Sequence, residues 1–420
     1  MWQSLGRSLR GLLTAVFLLV FCLCALEVGL RIDRYQAACT LTAARSNVAL
    51  TIEEQLLAPS MTCWTELVPL ARITRNAPDS GASVLVTINS FGCRGPEPEL
   101  PRPSGKLRVL CLGDETTLAT EVSASDTYAA RLEQLLQNEM RTPVEVINAG
   151  LPGNCPLQAA LQLRHRLLTL QPDLVVVHFD MSDVADNAAL RRFVTLDRDD
   201  HPLLSINPAA RKGGQLCGKK LSEEFLVIHQ AETVLSKVWG QRTSGVSSDA
   251  LVDPKTRYLW TSDHPPDQTE AILSALEPLQ AIRELCEQSG AKLLVSSAPK
   301  PWQVSAQASP TREARAPNGI PKGAVWSNPA PFQRLLNACR EWEIPAVVAW
   351  NEFRQAEQPE NLFLQTSPQM SEEGHRLYAE VLARAILGHE TPSAAGPRDI
   401  EPAQAIERTP DWSQPQGESR

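Results

Sequence analysis

Leu107-Arg108-Val109-Leu110-Cys111-Leu112-Gly113-Asp114-Glu115 is the stretch on which the reading of this chain turns. The run from Leu107 to Leu112 is apolar apart from Arg108, and it ends in Gly-Asp. A buried strand that runs into a Gly-Asp turn and then a helix fits that pattern. The residue carried at the turn is Glu115. A carboxylate can act as a base or a metal ligand, but it cannot replace a serine alkoxide in ordinary acyl transfer.

Working outward, apolar runs recur at 144–149, 173–179, 291–297 and 345–349, and the spacing predicts helices over about 126–140, 156–170, 267–289, 331–343 and 371–387. Asp126 and Ser371 stand where N-caps belong. Apolar strands alternating with amphipathic helices imply an α/β fold, a doubly wound parallel sheet covered by helices on both faces. The main domain is expected over 106–388, with 191–265 breaking the alternation as an insertion over one end of the sheet. Before it, Val84–Asn89 reads as a short strand. Residues 94–103 form a proline-rich connector that closes a membrane-proximal segment, 31–105.

Ligands of a doubly wound sheet bind beyond the carboxyl ends of its strands. Four loops come into question there: Gly113-Asp114-Glu115-Thr116-Thr117, Asn148 to Asn154 with Gly150 and Gly153, Asp180-Met181-Ser182-Asp183, and Thr366-Ser367-Pro368-Gln369-Met370. The candidate ligand pocket is therefore Gly113, Asp114, Glu115, Gly150, Gly153, Asn154, Asp180, Ser182 and Asp183.

In this order the four loops resemble the blocks of the SGNH/GDSL hydrolase superfamily, whose sheet is flavodoxin-like, over roughly residues 85–388. Gly113, Asp114 and Thr117 match the frame of the first block, Asn148, Gly150 and Gly153 the second, and Asp183 the third. Ser371-Glu372-Glu373-Gly374-His375 is similar to the start of the closing helix. The resemblance implies a serine nucleophile at position 115, an oxyanion-hole asparagine at 182, a base histidine at 369 and its orienting aspartate at 366 or 367. The chain has Glu115, Ser182, Gln369, Thr366 and Ser367 at those positions. Of the oxyanion donors, only Gly153 is kept. Without nucleophile and base, an oxyanion hole has no intermediate to stabilise.

Each candidate for rescue has a plainer reading. His375 matches a structural helix-start position. Thr116 and Thr117 lack an evident base, and Thr117 belongs to the frame. Cys155 lies near the glycine loop, although a buried or disulfide-bonded cysteine is the commoner outcome. Asp114, Glu115, Asp180 and Asp183, with His178 close by in a strand, form an oxygen-rich set of the kind Mg²⁺ or Ca²⁺ takes, but backbone-bound and solvated carboxylates explain it as well. No metal and no cofactor is expected.

At the amino end, residues 1–10 form a short tail with Arg7 and Arg10. The sixteen uncharged residues Gly11 to Leu26, continued by Val28-Gly29-Leu30, read as an N-terminal transmembrane helix over 11–30. About 20 residues span a bilayer. A cleaved signal peptide is the alternative, although no small-x-small cleavage site follows. This predicts a single-pass anchor with the main domain outside the cytoplasm. The net charge of −8 and the lack of a basic stripe exclude nucleic acid as an expected partner. The cysteines have no C-x-x-C spacing, so a zinc site is not indicated. Residues 389–420, rich in Pro, Ala, Glu, Gln and Ser, are expected to be disordered.

Three functions compete: a membrane-anchored, catalytically degenerate domain binding a glycan, acyl-ester or protein ligand in its cleft; a divergent esterase or acyltransferase on envelope glycans or lipids; and a structural envelope protein. The second requires a Ser, Thr or Cys within reach of a His. The third expects the cleft filled by side chains.

Overall fold

The computed structural model describes residues 14–15, 17–18, 20–30, 55–207, 210 and 255–388. The predicted tail 389–420 and residues 31–54 of the membrane-proximal segment lie outside these, as does the middle of the predicted insertion. Residues 1–55 with 212–245 form one unit by backbone contacts, and 56–211 with 246–420 form the other. In the first, the described residues from 14 to 30 are helical, with Phe17, Leu18, Phe21, Leu23, Leu26 and Val28 exposed. Among the described residues, no helix is long and apolar enough to cross a membrane.

The second unit is built on five parallel strands: β1 Leu107–Gly113, β2 Val144–Gly150, β3 Leu174–His178, β4 Lys292–Ser297 and β5 Ala346–Val348, in the order β5-β4-β3-β1-β2. β1 is buried from Arg108 onward and β3 throughout. Burial on both faces is why these strands read as unbroken apolar runs rather than alternating ones. The order reverses direction between β1 and β3, and a crevice opens at such a switch point.

Seven helices of eight residues or more flank the sheet among the described residues: α1 Tyr128–Glu139, α2 Pro156–His165, α3 Asp183–Arg191, α4 Thr269–Leu276, α5 Pro278–Ser289, α6 Ala330–Glu341 and α7 Glu372–Leu387. α1 and α7 pack together, and Leu132, Leu136, Tyr378 and Leu382 bury one face with Val109, Cys111 and Val176. α2, α5 and α6 cover the other, where Leu163, Ile282 and Phe332 meet Leu110, Leu112, Val175 and Val177. The doubly wound expectation therefore holds.

Four details differ from expectation, the first being that Thr127 and not Asp126 caps α1, its Oγ1 accepting the Ala130 N–H at 3.3 Å. The helix expected over 267–289 is two, because Pro278 begins a new one: it has no N–H for the preceding turn. The helix expected over 156–170 is α-helical only to His165 and continues as a 3₁₀ turn, Leu167–Leu170. α3 was not expected at all. It is only nine residues long and carries Asp183 and Asp186 in its first turn.

Residues from Leu56 onward belong to the same unit as the sheet. The antiparallel hairpin Arg72–Asn76 with Ser83–Thr87 packs Val84 and Val86 with Leu56, Leu67 and Ile88 against Leu118 and Leu151. Leu118 follows the first site loop and Leu151 lies within the second, so this amino-terminal layer seats both. At the far end of the insertion, Tyr258 and Trp260 return to the core, and the Trp260 indole N–H donates to Met181 O at 2.9 Å.

Candidate functional site

At the carboxyl end of β1 the chain turns into a single helical turn, Glu115–Leu118, and the Asp114 carboxylate caps it by accepting the Thr116 N–H at 2.9 Å. The turn nests between β2 and β3 because two glycines make room. A Cβ at Gly113 would lie 2.1 Å from Thr117 Oγ1, and one at Gly150 would lie 2.2 Å from Leu118 N. The Asn148 side chain donates to Thr117 O at 2.7 Å and accepts the Gly150 N–H at 3.0 Å. Thr117 Oγ1 pairs with the Tyr128 hydroxyl at 2.9 Å. Buried Arg94 donates to Leu118 O and Val122 O, each at 2.7 Å, and to Ala119 O. The matched frame residues thus all hold the loop rather than perform chemistry.

Glu115 stands at the turn, partly buried. Its Oε1 accepts the Gly153 N–H at 3.1 Å. The one retained oxyanion donor is therefore bonded to the group that replaced the nucleophile. Burial first, and then the neighbouring Asp114, push the Glu115 carboxyl up to about 8, with Arg257 opposing. Asn154, next in the loop, gives its amide N–H₂ to Gly113 O at 3.1 Å and Gln162 Oε1 at 3.3 Å, while its Oδ1 has no partner.

After β3, the Asp180 carboxylate accepts the Ser182 N–H at 2.8 Å and forms a buried ion pair with Lys300. Burial works against that charge, but the Lys300 ammonium and His178 hold Asp180 below the usual carboxylate range. Asp183 Oδ2 accepts the Asp180 N–H at 3.1 Å, whereas Asp183 Oδ1 and the Ser182 hydroxyl are unpartnered. At α3, Asp186 pairs with Arg257, whose field also reaches Glu115.

His178 does face the site. Its Nδ1 shares a 2.7 Å hydrogen bond with the Tyr378 hydroxyl, and its Nε2 is 4.0 Å from Asp180. Asp114, His178 and Asp180 bring ligand atoms within 4.8 Å of one another, and Glu115 and Asp183 stay outside that group. The positive charge next to Asp180 is already the lysine ammonium, so a metal there would face Lys300.

The rescue residues sit in other roles. His375 is buried, and its Nδ1 accepts the Tyr128 N–H of α1 at 3.3 Å. Burial, then Arg94 and His178, lower its proton affinity to about 3, so it is a neutral acceptor and not a base. Cys155 precedes α2, and burial, then Asp183, hold its thiol well above the ordinary cysteine value. A thiol so held is a poor nucleophile. Thr116 Oγ1 donates to Gln369 Oε1 at 3.4 Å. At the implied base position, an amide thus faces the hydroxyl one residue beyond the implied nucleophile.

At Thr366, the acid comes from elsewhere. Asp79, in the turn of the amino-terminal hairpin, accepts Gln365 N–H at 2.5 Å, Thr366 N–H at 3.2 Å and the Thr366 hydroxyl at 2.9 Å. Ser367 contributes its carbonyl to Ser309 Oγ at 2.8 Å. Sequence reasoning missed Asp79, Lys300 and Arg257. Lys300 carried a usable signal, because it follows β4 at a strand carboxyl end like the other loops. Asp79 and Arg257 carried none, being brought in by tertiary packing alone.

No family model matches the chain, and no curated protein matches it. Solved structures similar to it include a lipase/acylhydrolase from Enterococcus faecalis, at 14% identity with a TM-score of 0.36, covering 69% of this chain and 100% of that one. An acetyl xylan esterase matches at 14% identity and a TM-score of 0.35, over 66% of this chain and 99% of the other. A catalytic mutant of an acetylxylan esterase from Geobacillus stearothermophilus matches at 12% identity and a TM-score of 0.34, over 66% and 93%.

Proposed function

We propose that this chain is an SGNH-type domain that has lost ester hydrolysis and serves as a membrane-anchored binding or accessory protein of the cell envelope. The observation that carries this reading is the 3.1 Å hydrogen bond from the Gly153 N–H to Glu115. A carboxylate there cannot form an acyl-enzyme, and it takes the donor that a tetrahedral intermediate needs. Gln369 has no ionisable group to take a proton from Thr116. The anchor is the helical stretch within 11–30, whose exposed Phe17, Leu18, Phe21 and Leu23 favour an apolar surround. The main domain then lies outside the cytoplasm, with the cleft open to a glycan, acyl-ester or protein ligand.

The test is hydrolysis of short acyl esters by the full-length chain and by a Glu115→Ser/Gln369→His/Thr366→Asp variant. Wild type is expected to show no turnover above buffer, and turnover by the rebuilt variant would support a retained frame. Robust wild-type hydrolysis abolished by Cys155→Ala or His375→Ala would overturn the reading in favour of a divergent esterase.

A further inference from the structure

The chain closes one of its sheet edges and leaves another open. β2 is an outer strand of the main sheet, and its outward groups are answered. Val144 N–H donates to Gln137 Oε1 at 2.9 Å, Val146 N–H to Glu133 Oε2 at 2.7 Å, and Asn148 O accepts the Arg94 N–H at 2.8 Å. On one side of the amino-terminal hairpin, Thr87 O likewise takes the Gly95 N–H at 3.0 Å. The other strand of that hairpin, Arg72–Asn76, has no such cover.

Its ladder shows which groups face out. Ala71 O accepts the Ile88 N–H at 2.9 Å, and the Ala77 N–H donates to Ala82 O at 2.7 Å. Every second residue of an antiparallel strand bonds to its partner, so Ile73 and Arg75 bond to Ser83–Thr87. Arg72, Thr74 and Asn76 therefore turn their backbone N–H and C=O to the opposite side. Among the described residues, none of these groups meets a partner. All three residues are exposed, and neither a proline nor a bulge, two common guards of an edge, interrupts the strand.

We propose that this edge pairs with the same edge of a second copy of the chain, antiparallel about a two-fold axis at Thr74. That register sets Thr74 opposite Thr74 of the copy and Arg72 opposite Asn76 of the copy, so each outward residue is used. A shift in either direction loses a pair, and a longer shift toward Arg72 sets two guanidiniums against each other, which is destabilising. Arg72 thus guards the edge against wrong registers and not against this one. Leu85, beside Thr74 and 55% exposed, then lies on a sheet face that runs across both copies. An isologous contact closes as a dimer. This one is short, so the dimer is weak and depends on concentration. It is independent of what the cleft binds.

Crosslinking tests the register, on the full-length chain with Cys22, Cys24, Cys39 and Cys217 changed to serine. Thr74→Cys and Ser83→Cys on that background are treated with a short bis-methanethiosulfonate, in expressing cells and in detergent. Thr74→Cys is expected to give a band of twice the chain's mass. Ser83→Cys, exposed on the far strand and about 14 Å or more from its mate, should give about tenfold less. Thr74→Pro tests the pairing itself. The N–H it removes has no partner within one copy, so the fold is spared while the edge loses a donor. Sedimentation equilibrium should show the dimer's dissociation constant raised about tenfold or more, with circular dichroism unchanged. If Thr74→Pro fails to fold, the two crosslinking positions decide alone. Equal crosslinking at both positions, none at Thr74→Cys, a product with another protein in place of the doubled band, or an unchanged dissociation constant in folded Thr74→Pro overturns the proposal.

Discussion

Glu115 is one of the wholly or partly buried groups that make the molecule's stability answer to pH. Its folded carboxyl titrates at about 8, above the ordinary glutamate range. An acid whose proton affinity rises on folding contributes stability that is full below its unfolded titration and is lost as pH climbs through the folded one. Glu115→Gln removes that loss. The variant should therefore gain on wild type between pH 5 and pH 9 by on the order of 1–2 kcal/mol, read from urea midpoints at each pH. An unchanging difference would place the charge in water. Gly150 is the steric counterpart. Because its added Cβ would meet Leu118 N at 2.2 Å, against backbone, Gly150→Ala should cost about 3 kcal/mol in chemical denaturation.

The same residues show what can be read in a sequence. Gly113, Gly150 and Asp114 are legible because a turn and a close approach leave few residue types to choose from. Lys300 was open to the same rule, applied to one more strand. Asp79 lies 287 positions from Thr366 along the chain, and no local period or spacing connects them.

Among elements, β1, β3 and β4 could be read because burial on both faces writes itself as continuous apolar sequence. The break at Pro278 is written in one residue, inside an apolar period that runs on through both helices. α3 and the first hairpin strand, Arg72–Asn76, were hard to read for different reasons. α3 is short and acidic, and the strand has no fully buried position and packs on a small satellite core rather than the main one. That hairpin is tied down at its tip by Asp79. Asp79→Ala should leave the fold intact and raise amide exchange at Gln365 and Thr366 about tenfold or more, measured by hydrogen–deuterium exchange. On its other side, Arg94 joins the connector to the first site loop through three carbonyls. Arg94→Ala should cost about 3–5 kcal/mol, since it strips those bonds from buried acceptors.

For the whole molecule, the sheet order and the two cores account for a doubly wound domain, and the amino-terminal layer from Leu56 is part of it. The membrane reading belongs to a different unit and to a different kind of signal, apolarity without a packing partner. Full-length protein is expected to sediment with membranes and resist extraction by alkaline carbonate, while a chain lacking residues 1–30 should remain in the supernatant. Equal behaviour of the two would remove the anchor.

The contact between Glu115 and the Gly153 N–H has a consequence for chemical probes. The domain carries its own occupant of the oxyanion site, covalently fixed, and above about pH 8 that occupant is charged. Reagents that report on hydrolases by assuming that charge, such as boronates and fluorophosphonates, must compete with a side chain that cannot diffuse away. Profiling a proteome with them would pass this protein by, whatever it binds. Silence in such a screen is thus a property written into one loop and carries no information about whether the cleft has a ligand.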